Sequence, residues 1–197
     1  MLSCIPGDGQ VYPVLKQLTS KVPIITQIDG LLTPAECDFL VQKAEEAGFE
    51  ASKTGGPRGK GRISALRTSR SSYLPPDDKV VVCIGARLAT VAGMPADSLE
   101  QLQATSYATG QQYKNHHDDN VDVGSRGHQR RLKTIFAYLR AQGKLSAGEC
   151  GGATYFDKLH QRDGKPLRVY PRAGSAAGWN NYDDIGKRDA RTEHSGK

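Results

Sequence analysis

The chain has 197 residues, 37% of them hydrophobic and 24% charged, with a formal net charge of +6. That length suffices for one domain with a real core, and no apolar run approaches the length of a membrane-spanning helix. The four cysteines, Cys4, Cys37, Cys83 and Cys150, form no Cys-x-x-Cys pair, which argues against structural zinc.

The first ten residues show no basic segment followed by an apolar one, so no secretory signal is visible and the compartment stays open. Residues 22–28 are apolar and β-branched and read as a strand. Residues 1–21 before it are taken as an N-terminal extension, and 22–197 as a single domain. Thr33-Pro34-Ala35-Glu36 is a capping box with proline at the first helical position. Cys37, Leu40, Val41, Ala44 and Ala47 follow at helical spacing, which predicts a helix over 34–47 ending at Gly48.

Between residues 51 and 76 lie Lys53, Arg58, Lys60, Arg62, Arg67 and Arg70 with no acid, an excess equal to the whole net charge. A nucleic-acid patch, a basic loop over a groove and a solvated loop all fit this glycine-rich stretch, which carries no aromatic residue before Tyr73. Residues 67–73 return as a predicted strand. Val81, Ile84, Leu88 and Val91 then mark a second amphipathic helix ending near Gly93-Met94-Pro95. Cys37 and Cys83 fall on the apolar faces of these helices and read as core residues; nothing in the spacing demands a disulfide.

The second half changes character. Residues 99–108 and 132–139 read as strands, 119–130 as a polar loop and 144–150 as a turn region. Short strands are predicted at 153–156, 167–170 and 175–179. Helices first and many short strands afterwards predict an α+β fold, with a double-sheet barrel carrying the chemistry.

His116-His117-Asp118-Asp119 holds two interleaved His-x-Asp pairs. Residues i and i+2 of a strand share a face, so His116 and Asp118 can meet one metal while His117 and Asp119 point the other way. A third ligand, from His128, His160 or His194, would complete a two-histidine, one-carboxylate set of the kind that suits non-haem Fe(II). The plainer reading of so polar a run is a solvated turn.

Taken in order, the motifs resemble those of a prolyl 4-hydroxylase, alpha-subunit-like, of the Fe(II)/2-oxoglutarate-dependent dioxygenase superfamily. The similarity runs over residues 28–194. It begins with Leu32-Thr33-Pro34-Ala35-Glu36-Cys37 and Arg67-Thr68-Ser69. It continues with Tyr107, Gly110, Tyr113, His116 and Asp118 in a Y-x-x-G-x-x-Y-x-x-H-x-D pattern. Arg131, Thr134, Tyr138 and Leu139, then Gly151-Gly152-Ala153-Thr154-Tyr155-Phe156, and last His194-Ser195-Gly196 complete it.

The resemblance implies a double-stranded β-helix core of jelly-roll or cupin type with supporting N-terminal helices. It implies His116, Asp118 and His194 as metal ligands, which leaves His117 and Asp119 as neighbours, with His128 and His160 on the surface. Tyr107, Tyr138 and Thr154 match residues lining the 2-oxoglutarate pocket, and Tyr113 and Arg131 match residues that hold the substrate proline. Arg130 is a rival for Arg131, because a one-residue slip on a strand reverses its face. The basic loop from Lys53 to Arg67 matches a loop that closes over the peptide. The implied cofactors are Fe(II), 2-oxoglutarate and ascorbate, and the implied partner is a proline-rich or collagen-like peptide rather than nucleic acid or a membrane.

Two departures set further expectations. The family's basic anchor for 2-oxoglutarate follows the distal histidine by about ten residues (a family expectation), whereas this chain ends at Lys197. The expected consequence is a domain lacking its last strand, with weak turnover or a peptide-binding role only. Ala176-Ala177-Gly178 stand where bulkier residues are usual, which predicts a weaker barrel wall.

Overall fold

The computed structural model describes residues 1–20, 23–55, 61–122, 128–141, 151–161 and 163–196. The first half carries β1 (Val14–Gln17), β2 (Ile25–Asp29), α1 (Pro34–Ala47), β3 (Glu50–Ala51), β4 (Lys53–Thr54), β5 (Arg62–Ile63), β6 (Arg70–Tyr73), α2 (Lys79–Ala92) and β7 (Gln103–Ser106). The second half carries β8 (Tyr113–His116), β9 (Asn120–Asp122), β10 (His128–Arg130), β11 (Lys133–Ala137), β12 (Thr154–His160), β13 (Pro166–Val169), β14 (Ala176–Asn180) and β15 (His194–Gly196).

Two antiparallel four-stranded sheets form the double-stranded β-helix. One has the order β1-β2-β14-β11 and the other β13-β12-β15-β8. β1–β2 and β12–β13 join consecutive strands, but β2–β14, β14–β11, β12–β15 and β15–β8 join strands far apart in sequence, so this order could not be read from strand spacing alone. Side-chain alternation on β2 and β14 splits the interior into two cores. Ile25, Ala177 and Trp179 face the inter-sheet space with Phe156, Leu167, Val169 and Tyr138. Ile28 and Ala176 face the opposite way, against Leu40 and Ala44 of α1 and Val81, Ile84 and Leu88 of α2.

Within the first sheet β14 is therefore buried on both faces, which explains its small residues. A Cβ on Gly178 would come within 2.9 Å of Ile135 Cδ1 and 3.5 Å of Ile28 Cδ1. Branched side chains of the flanking strands fill that wall, so the expected weakness is absent. Gly174, at φ +79°, packs so close to the Leu32 carbonyl that a Cβ would collide with it.

The predicted helices hold. Thr33 Oγ1 accepts from the Glu36 amide and the Glu36 carboxylate accepts from the Thr33 amide, so the capping box is complete. Asp78 caps α2, and Gly93 ends it in the left-handed region at φ 64°. Glu36 also reaches α2: Arg87 Nη1 and Nη2 donate to its two oxygens at 2.7 and 2.8 Å, with neither side chain exposed. Arg87 donates further to the carbonyls of Leu31 and Leu2. One buried ion pair thus serves as helix cap and inter-helix tie.

Two expectations need correction. Cys83 is not simply a core thiol, because it forms a disulfide with Cys4 across 79 residues of sequence; Cys37 stays free and buried. Residues 1–20 are held against the rest of the chain. The Cys4 bond, the Arg87 contacts and the pairing of β1 with β2 draw them into the body of the domain. The polar stretch 119–130 contains paired strands, β9 with β10, rather than loop alone. Part of the basic loop is a short β4–β5 ladder, and its residues 56–60 lie outside the described residues, as does the turn region 144–150. No helix of the described residues is long and apolar enough to cross a membrane.

Candidate metal centre and its surroundings

Strands β8 and β15 pair antiparallel, with His116 directly opposite His194. Asp118 follows just past the end of β8. The three side chains bring one ligand atom each to within 4.8 Å of the others. Asp118 Oδ1 lies 3.4 Å from His116 Nε2, and its Oδ2 lies 3.7 Å from His194 Nε2. His116 and Asp118 therefore take the inward face, as i and i+2 neighbours must, and His117 and Asp119 turn away.

The ring orientations suit ligation. His116 Nδ1 sits 2.8 Å from the Lys114 carbonyl, and His194 Nδ1 sits 3.0 Å from the Thr192 carbonyl. A carbonyl can only accept, so each Nδ1 carries the hydrogen and each Nε2 presents its lone pair to the centre. Thr134 Oγ1 donates to Asp118 Oδ2 at 3.1 Å. Burial pushes the Asp118 carboxyl up, but His116, His194 and Arg131 around it more than offset that and hold it well below the usual carboxylate range. Burial depresses the His194 imidazole, although the Asp118 carboxylate pulls the other way. A carboxylate and two imidazoles are the donor set of non-haem Fe(II).

Aromatic rings support the histidines. Tyr113 stacks on His116 with ring centroids 3.5 Å apart, and the Arg67 guanidinium lies over the Tyr113 ring, 4.9 Å from its centroid. Trp179 and Phe156 pack against His194 at 4.7 and 5.5 Å. Arg131 donates to the Asp118 carbonyl at 3.3 Å and forms a two-pronged pair with Glu100 at 2.6 and 2.8 Å. Arg130 instead stacks on Tyr182, 5.2 Å from its ring, and donates to the Gly186 carbonyl. Of the two arginines, only Arg131 thus borders the centre.

The residues matched to the cosubstrate pocket also come together. The Tyr138 hydroxyl is 2.7 Å from Thr154 Oγ1, across the two sheets, and both residues are buried. Thr154 pairs with Gly196, and a Cβ added to Gly196 would lie 3.7 Å from the Tyr107 hydroxyl. His160 is exposed at the far end of β12 and does not join the metal-ligating group, and His128 lies on β10. Glu100, Thr134 and Trp179 are the neighbours that sequence reasoning missed. Thr134 lay within a matched motif without a role, and Glu100 carried no signal at all.

A double-stranded β-helix with two histidines and one carboxylate converging inside it is the architecture of a non-haem metal centre. No family model matches the chain. Prolyl 4-hydroxylase 1 of Arabidopsis thaliana is 30% identical over 95% of the chain and 67% of its own length. Prolyl 4-hydroxylase 2 of the same plant is 29% identical over 92% of the chain and 64% of its own length. Prolyl 4-hydroxylase subunit alpha-2 of Gallus gallus is 28% identical over 88% of the chain, which spans only 31% of that relative. Among solved structures, a viral collagen prolyl hydroxylase from Paramecium Bursaria Chlorella virus-1, in its 2OG complex, superposes with a TM-score of 0.63. It covers 88% of this chain and 87% of its own at 24% identity, which supports the fold. The chain belongs to the prolyl 4-hydroxylase family. It spans from about a third to two thirds of the length of these curated relatives.

Proposed function

We propose that this chain hydroxylates prolyl residues at C4 in a proline-rich or collagen-like peptide, using Fe(II), 2-oxoglutarate and ascorbate. The observation that carries the reading is the convergence of His116, Asp118 and His194, with both Nε2 atoms free to ligate. A bound iron would let dioxygen serve as the oxidant, one oxygen atom going to the cosubstrate, released as succinate and carbon dioxide, and the other to the prolyl C–H, which becomes a hydroxyl. The protein's task is to hold and shield these groups. His116, Asp118 and His194 hold the metal. Tyr107, Tyr138 and Thr154 line the cosubstrate side, where the hydrogen-bonded Tyr138–Thr154 pair has one hydroxyl hydrogen left to offer a carboxylate. Tyr113 and Arg131 border the centre where a substrate proline would lie, the Tyr113 ring offering an apolar face and Arg131 a fixed donor fork.

The test is anaerobic titration with Fe(II), with and without 2-oxoglutarate, following the visible metal-to-ligand charge-transfer band. The band is expected only when both are present and is expected to vanish in His116→Ala. Formation of 4-hydroxyproline and succinate in equal amounts from a proline-rich peptide then completes the reading. Iron binding without the band refutes the cosubstrate site; no iron binding by a folded chain refutes the metal centre.

A further inference from the structure

The outer members of the doubled His-x-Asp run have a common destination. Asp119 is 4% exposed, and its Oδ2 accepts from Arg188 Nε at 2.6 Å. His117 Nε2 lies 3.9 Å from Glu193 Oε1. Both partners stand on the segment that runs from the hairpin after β14 to His194. The hairpin is held by the Tyr182–Arg188 bridge and by the Asp189 amide on the Asn181 carbonyl at 3.0 Å. A 3-10 turn, Ala190–Thr192, capped by Asp189, then leads into β15.

Asp118 needs such support. It lies between β8 and β9, so no ladder hydrogen bond of either strand fixes it. Beyond the Arg131 donation to its carbonyl at 3.3 Å, its backbone is fixed through the next peptide. The Asp119 carbonyl accepts from the Arg131 amide at 3.1 Å and from the Tyr182 hydroxyl at 2.9 Å. Arg188 grips the same residue's side chain. The two halves of the metal centre are thus tied outside the centre as well as within it.

Resting on the metal-centre reading above, we infer that Asp119 and Arg188 form a positioning clamp that sets the spacing between Asp118 and His194. The short ion pair carries the effect. The His117–Glu193 contact, at 3.9 Å, is much longer and adds less. Asp119 is nearly buried while Arg188 is half-exposed, which leaves Asp119 the member that most needs its partner. Partners that orient metal ligands in this way typically govern affinity by roughly tenfold to a hundredfold.

Co(II) is a suitable probe, because its visible ligand-field spectrum reports both affinity and coordination. Arg188→Gln is expected to weaken Co(II) binding about tenfold and to alter the band shape, with Arg188→Lys restoring most of the affinity. Asp119→Asn should weaken it similarly, and the double variant no more than either single one, since the two act as a pair. Wild-type affinity and spectrum in a folded Arg188→Gln variant overturn the clamp. Should that variant unfold, Asp119→Asn, which keeps the size of the side chain and removes only its charge, decides in its place: wild-type Co(II) affinity and spectrum there overturn the clamp and weakened binding supports it. Failure of the wild-type protein to bind Co(II) is a separate result, and it removes the metal-centre reading and the clamp together.

Discussion

At the scale of single residues, the histidines are prepared for a metal by their backbone. The carbonyls of Lys114 and Thr192 fix both Nδ1 hydrogens, so neither ring has to change tautomer to ligate. His194 also contributes a pH dependence. Its folded pKa lies below the ordinary value because burial disfavours the cation. As pH falls below about 6.5, the unfolded chain takes up a proton that the folded chain resists, and stability drops. In the metal-free protein, urea midpoints measured from pH 7.5 to 5 should fall, and less steeply in His194→Gln. The Tyr138–Thr154 pair makes a different prediction. Tyr138→Phe should raise the half-saturating 2-oxoglutarate concentration roughly threefold to tenfold, the equivalent of one hydrogen bond. Fe(II) affinity alone should be unchanged, since neither hydroxyl belongs to the ligand group. Of these residues, strand spacing offered His116 with Asp118 or His117 with Asp119 and left the third ligand open, and only the family resemblance singled out His116, Asp118 and His194. Glu100 could not be read in the sequence, because one carboxylate before a strand looks like any solvated acid until Arg131 is seen to grip it.

At the scale of elements, α1 shows how a local signal acquires a distant role. Thr33 and Glu36 cap the helix as four successive residues can, and Thr33→Ala should cost about 1 kcal/mol in chemical denaturation. Glu36 does more, because Arg87 of α2 pairs with it in the interior. Burial pushes its carboxyl up, but Arg87 and the amides of Cys4 and Thr33 outweigh that and bring it from 4.5 to about 2. A depressed carboxylate stabilises the fold above its unfolded pKa. That contribution should be lost as pH falls from 4.5 towards 2, and the loss should be absent in Glu36→Gln. Arg87→Met leaves the Glu36 carboxylate buried without a cation. It should cost on the order of 3–5 kcal/mol, far more than the cap variant.

At the scale of the whole molecule, the Cys4–Cys83 bond fastens the N-terminal residues over α2 and beside the Glu36–Arg87 pair. Such bonds form in oxidising surroundings. Closing a loop of this length removes about 4–5 kcal/mol of unfolded-chain entropy in the simple chain model. Cys83→Ser, or treatment with a dithiol, should therefore lower the melting temperature markedly. Cys37 should not contribute to that response, since burial pushes its thiol up to about 11. Alkylation of the native protein should leave Cys37 unmodified until denaturant is added.

The sequence by itself determined both helices, the strand-rich second half, the ordered motifs and the three ligand types. Caps, periodicity and His-x-Asp spacing act over a few residues, so they survive without knowledge of the path between them. Only the tertiary structure decided what depends on that path. It paired Cys4 with Cys83 and Glu36 with Arg87, and it buried β14 on both faces so that Gly178 fits beneath Ile135. It also sent Asp119 to Arg188, turning an apparent bystander of the motif into a link between the two halves of the centre. Each of these joins residues far apart in the chain, and sheet register and loop closure, which no local pattern records, bring them within reach.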